Sequence, residues 1–121
     1  MKILLAEDER SVREPFSRVL SNEGHEVRTA SNGQEARRML ESSDFDLVVT
    51  DIIMPDGDGY EVMNWARQKN SDIPVILISG GGRADPKTYL NRGKAPGATT
   101  ILQKPIRLQN LIDAVTRALN P

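Results

Sequence analysis

The sequence predicts an α/β protein, a doubly wound (βα)5 three-layer sandwich built on a five-stranded parallel sheet. Three observations carry that prediction. Short apolar runs of four or five residues alternate along the chain with helical patterns. The runs are continuously apolar rather than alternating, as strands must be when helices cover both faces of a sheet. At 121 residues, with 38% hydrophobic and 27% charged side chains, the chain has the size and composition of one globular domain. Right-handed crossovers then distribute the helices over both faces.

Ile3 to Ala6 is the first strand, ending abruptly in Glu7-Asp8-Glu9. Val12, Phe16, Val19 and Leu20 fall at helical spacing, and Gly24 stops that helix. Pro15 lies inside it and removes one hydrogen bond, so a kink is expected near Ser11. Glu26 to Ala30 is a weaker strand suited to a sheet edge, and Ser31-Asn32-Gly33 is a turn. Ala36, Met39 and Leu40 mark the next helical face. Asp46 to Thr50 is the third strand, followed by the loop Asp51-Ile52-Ile53-Met54-Pro55-Asp56-Gly57-Asp58-Gly59. A helix over Tyr60 to Lys69 turns Val62, Met63 and Ala66 inward. Pro74 to Ser79 is the fourth strand, closed by three glycines from Gly80. A short helix is expected over Asp85 to Gly93 and a fifth strand over Thr99 to Gln103. Leu108, Leu111, Ile112, Val115 and Leu119 form the clearest helical stripe. His25 is expected to be exposed, and Trp65 to be a partly exposed packing residue.

Composition narrows the chemistry. Sixteen basic against 17 acidic side chains give a net charge of −1, so no basic footprint for nucleic acid is present. With no cysteine and one histidine, thiolate chemistry and histidine clusters are excluded, and any metal must take oxygen ligands, as Mg²⁺ does. No apolar run approaches the ~18 residues of a membrane span, and Met1 to Glu7 is too short for a signal peptide. The expectation is a single domain over 1–121, cytoplasmic and without membrane contact.

In open parallel sheets the functional site lies beyond the carboxyl ends of the strands. The first strand ends there in Glu7-Asp8, the third in Asp51, the fourth in Ser79 and the fifth in Lys104-Pro105. Clustered carboxylates repel and raise one another's pKa unless a cation intervenes. Mg²⁺ would relieve that repulsion and commonly bridges carboxylates to a phosphoryl group. The lysine and the hydroxyl suit phosphoryl oxygens, and a carboxylate can itself attack phosphorus to give an aspartyl phosphate.

Each residue also has a plain reading. Glu7 and Asp8 would suit the start of a helix, Asp51 a turn before Met54-Pro55, Ser79 a loop, and Lys104 a solvated surface. Asp56 and Asp58 read as loop and turn residues rather than ligands. What favours the functional reading is that all four features fall at strand ends together.

With those residues in view, the chain resembles the receiver domain of two-component response regulators. The resemblance spans the whole chain. It rests on Glu7-Asp8, on DIIMPDGDG from Asp51 to Gly59, on Ser79 closing PVILIS, and on Lys104-Pro105. It implies the strand order 2-1-3-4-5, shared with flavodoxin-like folds. It implies a signalling switch rather than an enzyme with turnover. Asp51 would be the phosphoacceptor, and Ser79 and Lys104 the phosphate contacts. Asp8, Asp51 and the Ile53 backbone carbonyl would hold Mg²⁺ or Mn²⁺, with Glu7 acting through water. The Lys104–Pro105 bond would be cis, and Ile53 and Gly81 would set the dephosphorylation rate. The partners implied are a sensor histidine kinase or histidine phosphotransfer protein as donor and a protein target as output. Ile101 replaces the family's aromatic switch residue and Ile106 a frequent phenylalanine, while the glycine-rich stretch from Gly80 suggests an irregular helix after it.

Other readings are a receiver cut from a hybrid kinase or larger regulator, a scaffold, and two different classes. An FMN-binding carrier is disfavoured because Glu7-Asp8-Glu9 would repel a phosphate. An aspartate-nucleophile phosphatase needs a second carboxylate close to Asp51, where Ile53 stands.

Overall fold

A computed structural model describes residues 1–80 and 100–120. The elements run β1 (Lys2–Ala6), α1 (Arg10–Asn22), β2 (Glu26–Ala30), α2 (Gly33–Ser42), β3 (Leu47–Asp51), α3 (Gly59–Lys69), β4 (Val75–Ser79), β5 (Thr100–Gln103) and α4 (Leu108–Leu119). All strand pairs are parallel, in the order β2-β1-β3-β4-β5. The short helix expected over 85–93, and the position of Gly81, lie outside the described residues.

Strand geometry sorts the core. Alternate side chains point to opposite faces of a pleated strand. Leu4, Val48, Val75 and Leu77 therefore meet Ala36 and Leu40 of α2 and Val62, Met63 and Ala66 of α3 on one face. Ile3, Leu5, Leu47, Val49, Ile76 and Ile78 meet Phe16 and Leu20 of α1 and Leu111 and Val115 of α4 on the other. β3 and β4 are buried along their whole length, whereas β2 at the edge is half exposed. That contrast follows the apolar runs in the sequence.

Three local expectations need correction or refinement. Pro15 sits on the exposed side of α1, and the helix runs unbroken past it, at the cost of one hydrogen bond. β3 begins and ends one residue later than expected, because Asp46 is spent on Lys2: its carboxylate accepts the Lys2 N–H at 2.7 Å and its own N–H donates to the Lys2 carbonyl at 2.8 Å. His25 is half-buried rather than exposed, and its Nδ1 is shielded without a hydrogen-bond partner. Gly24, at φ +92°, turns the chain back towards β1, where the Glu26 N–H donates to the Met1 carbonyl, and the turn tucks the imidazole in. Burial accordingly lowers its pKa.

The loop after β3 is fixed at both ends. Asp58 caps α3 in a reciprocal box with Glu61, so its role is structural, as expected. Asp56 occupies the left-handed region at φ 56°. Gly57 lies under the ring of Trp65, over which the Arg37 guanidinium stacks at 5.0 Å from the ring centroid.

Candidate functional site

Register and parity assemble the site. β1 pairs with β3 so that Ala6 faces Thr50, which places Glu7 beside Asp51 one step further on. β4 pairs with β5 so that Ser79 faces Gln103, which places Gly80 beside Lys104. Pairing continues past the strand ends: the Glu7 N–H donates to Ala30, Ile52 to Ile78 and Lys104 to Ser79, at 2.8–2.9 Å. Glu7 follows Ile3 and Leu5 in parity, Asp51 follows Leu47 and Val49, and Lys104 follows Leu102. All three side chains therefore emerge on the α1/α4 side of the sheet.

Lys104 is the hub of the cluster. Its Nζ donates to Asp51 Oδ2 at 2.9 Å and makes ion pairs with Glu7 Oε1 at 3.0 Å and Glu9 Oε1 at 3.8 Å. Asp8 completes the acids, and one carboxylate oxygen from each of Glu7, Asp8 and Asp51 lies within 4.8 Å of the others. Glu7 and Asp51 are buried while Asp8 is exposed. The Lys104–Pro105 peptide is cis, as the resemblance implies. Ser79 is buried at the end of β4, next in register to the Asp51–Ile78 pair.

One lysine does not neutralise these acids. Burial pushes Glu7 up from 4.5 to about 7, opposed by the Glu9 backbone N–H and reinforced by the Asp51 charge. Burial also raises Asp51, against the pull of Lys104. Burial alone would lower Lys104, but its bonds to Asp51 and Glu7 outweigh that and raise it.

The polar inventory shows what the cluster lacks. Asp51 Oδ1 and Ser79 Oγ are buried and make no hydrogen bond, while Glu7 Oε1, equally buried, has only the Lys104 ammonium at 3.0 Å. Buried polar atoms are nearly always satisfied, so two atoms at one sheet edge without a partner among the described residues indicate a site completed by something else. The surplus negative charge of Glu7, Asp8 and Asp51 fits a hard divalent cation, and the Ser79 hydroxyl fits a phosphoryl oxygen. Above them opens a groove of about 1080 Å³, walled by Val12, Pro15 and Phe16 of α1 on one side and by Pro105, Ile106 and Leu108 on the other. Ile53 lines it beside Asp8 and Asp51. Ile101, by contrast, packs half-buried against the core on the α2/α3 side.

Sequence reasoning missed two contributors, Arg13 and Glu9, and read a third, Gly59, only as a tight entry to the helix. Arg13 Nη1 donates to the Glu7 and Asp8 carbonyls at 2.9 and 3.3 Å and so pins the acidic loop. Glu9 reaches Lys104. Gly59 packs where a Cβ would run into the Asp51 carbonyl and lie 2.8 Å from Ile52 Cα. The expected tight entry at Gly59 is borne out, whereas Arg13 and Glu9 carried no signal in the sequence.

A five-stranded parallel sheet with acids, a hydroxyl and a lysine at its carboxyl edge defines a class of phosphate-handling α/β signalling domains. The chain belongs to the response regulator receiver domain family, whose model matches residues 3–116. It is 34% identical over 120 residues to the DNA-binding transcriptional regulator NtrC of Azospirillum brasilense, matching 98% of this chain and 24% of that protein. It spans about a quarter to a half of the length of such curated relatives. Among solved structures it is similar to a response regulator receiver protein from Sinorhizobium medicae WSM419, with TM-score 0.88, 35% identity and 99% and 94% of the two chains covered. It is also similar to the response regulator protein TrrA from Thermotoga maritima in complex with Mg(2+)-BeF, with TM-score 0.84, 33% identity and 98% of each chain covered. Among the described residues no helix is long and apolar enough to cross a membrane.

Proposed function

We propose that this chain, as one receiver domain over 1–121, takes a phosphoryl group on Asp51 and signals by the change that follows. The observation that carries this reading is the unpartnered Asp51 Oδ1, buried on a residue that lines the groove and is held by Lys104. Lys104 holds Oδ2, which leaves Oδ1 as the free nucleophile. A bond forms from an Asp51 oxygen to phosphorus while the bond to the donor's leaving atom breaks on the opposite side. Lys104, already at the site, donates to the incoming phosphoryl oxygens, and the unused Ser79 Oγ accepts the role of second donor. A bound Mg²⁺ or Mn²⁺ would neutralise the acids and draw phosphoryl oxygens towards Asp51. Asp8, Asp51 and the Ile53 carbonyl would hold it, with Glu7 acting through water. The Ile53 side chain has no polar atom to orient an attacking water, so the phosphorylated form is long-lived, and Gly81 is the second position proposed to govern that rate.

The donor is a phosphohistidine on a sensor kinase or phosphotransfer protein. The apolar walls of the groove would seat a partner helix, bringing its phosphohistidine over Asp51. The output is contact with a protein target, and a receiver of this kind performs no turnover on other substrates. With a net charge of −1 the chain itself is not proposed to contact nucleic acid. Incubation with acetyl phosphate and Mg²⁺, followed by intact-mass measurement, tests the reading. The expected result is one added phosphoryl group, abolished by chelator and by Asp51→Asn. Equal labelling of the variant would overturn the assignment.

A further inference from the structure

Glu9 stands at the N-cap of α1, yet its side chain does not cap the helix. Its backbone does the structural work there: the carbonyl accepts from Val12 and Arg13, and the N–H donates to Glu7 Oε2 at 3.0 Å. The carboxylate instead turns across the groove to Lys104, 3.8 Å away, and stays 61% exposed. It lines the groove together with Asp8, Asp51 and Lys104. Glutamate is a poor choice for a helix N-cap, where Ser, Thr, Asp or Asn are preferred. Its position is better explained by the charge it presents to whatever enters.

We propose that Glu9 is a specificity-determining residue for the phosphodonor, an electrostatic gate at the groove mouth that disfavours small, highly charged donors. The proposal rests on the phosphoacceptor reading of Asp51. Among the described residues that line the groove, Asp8, Glu9 and Asp51, with Glu7 buried beside them, stand against Lys104 as the one cation, so a free anion approaches against like charge. A phosphohistidine presented by a protein partner is held in place by its own docking contacts and feels the gate less. The gate thus protects the switch from metabolic acyl phosphates without closing it to a protein donor.

The reaction is the same with either of two small donors. With acetyl phosphate, an Asp51 oxygen bonds to phosphorus and the acyl oxygen–phosphorus bond breaks to release acetate. With phosphoramidate, the nitrogen–phosphorus bond breaks and ammonia leaves, already carrying its protons. The first donor approaches as a dianion and the second with a single net negative charge. One fixed charge roughly 8 Å from a single charge in a water-like medium changes the local concentration about twofold, and about fivefold for a dianion.

Phosphorylation rates should be measured for both donors at saturating Mg²⁺ for each variant, at low and high salt. Glu9→Gln is expected to accelerate acetyl phosphate about fivefold and phosphoramidate about twofold. Both gains should shrink towards unity in high salt. Glu9→Asp, which keeps the charge, should stay near the unaltered rate, and Glu9→Lys should exceed Glu9→Gln. Thermal melts of each variant separate a loss of fold from a change of gate. Equal acceleration with both donors, or an acceleration insensitive to salt, would mean a steric or structural effect and overturn the proposal. No labelling of the unaltered chain by either donor would overturn the phosphoacceptor reading and the gate with it. Labelling of the unaltered chain with no response to Glu9→Gln would overturn the gate alone.

Discussion

Among the described residues, the Lys104 ammonium alone stands against three carboxylates, two of them buried, and this imbalance should be visible in the pH dependence of stability. Glu7 titrates near 4.5 when unfolded and about 7 when folded. The folded chain therefore binds the proton more tightly. The stabilisation from protonated Glu7 is complete below about pH 4.5 and is lost as pH rises through 7. In the absence of metal, the unaltered chain should lose on the order of 3 kcal/mol relative to Glu7→Gln across that window. Denaturant titrations of both proteins at pH 5 and pH 8 would measure it; parallel stabilities would contradict the shift. Lys104→Ala should leave Asp51 and Glu7 facing each other with no cation. That should lower metal-free stability at pH 8 by about 2 kcal/mol, and Mg²⁺ should restore most of the loss. A variant unaffected by both pH and Mg²⁺ would show that the lysine is not the balancing charge. Dephosphorylation tests the remaining residue proposal: Ile53→Asn should shorten the lifetime of the phosphorylated chain several-fold by giving water a hydrogen-bond partner. A timed decay after donor removal reads this out directly.

At the scale of elements, the site depends on two short connections as much as on its acids. α3 begins against the backbone of the strand that carries Asp51. A Cβ at Gly59 would press on the Asp51 carbonyl and on Ile52 Cα, and neither can swing aside as a side chain would. Gly59→Ala should cost about 2–4 kcal/mol and displace Asp51 as well, so phosphorylation should fall together with stability. Asp58→Ala, one residue earlier, removes only the capping box and should cost about 1 kcal/mol while phosphorylation persists. Chemical denaturation and labelling of the two variants side by side would separate them.

This contrast also shows what the sequence displays and what it conceals. The apolar runs of β1, β3 and β4 announced buried parallel strands because Ile3 to Ala6 and every position of β3 and β4 are buried. The converging residues were legible because parallel strands end on the same edge, so Glu7, Asp51, Ser79 and Lys104 could be placed without any side-chain geometry. Arg13 and Glu9 were not, since their roles depend on where a long side chain turns. His25 was misread for the same reason: its burial comes from a turn packing onto β1, which local pattern does not encode.

For the molecule as a whole, the two core faces give the sheet a firm middle and the chemistry a single edge. The loop from Asp51 to α3 crosses from that edge to the α2/α3 side and passes beneath Trp65 on the way. Trp65 is the sole tryptophan of the chain, half-buried, with a guanidinium stacked on its ring. Indole emission is sensitive to such a neighbour and to solvent. The protein therefore carries its own optical probe, packed against the segment that follows Asp51 rather than in the deep core. Its fluorescence can be followed in real time as Mg²⁺ or a phosphodonor is added, with no dye, no label and no engineered residue.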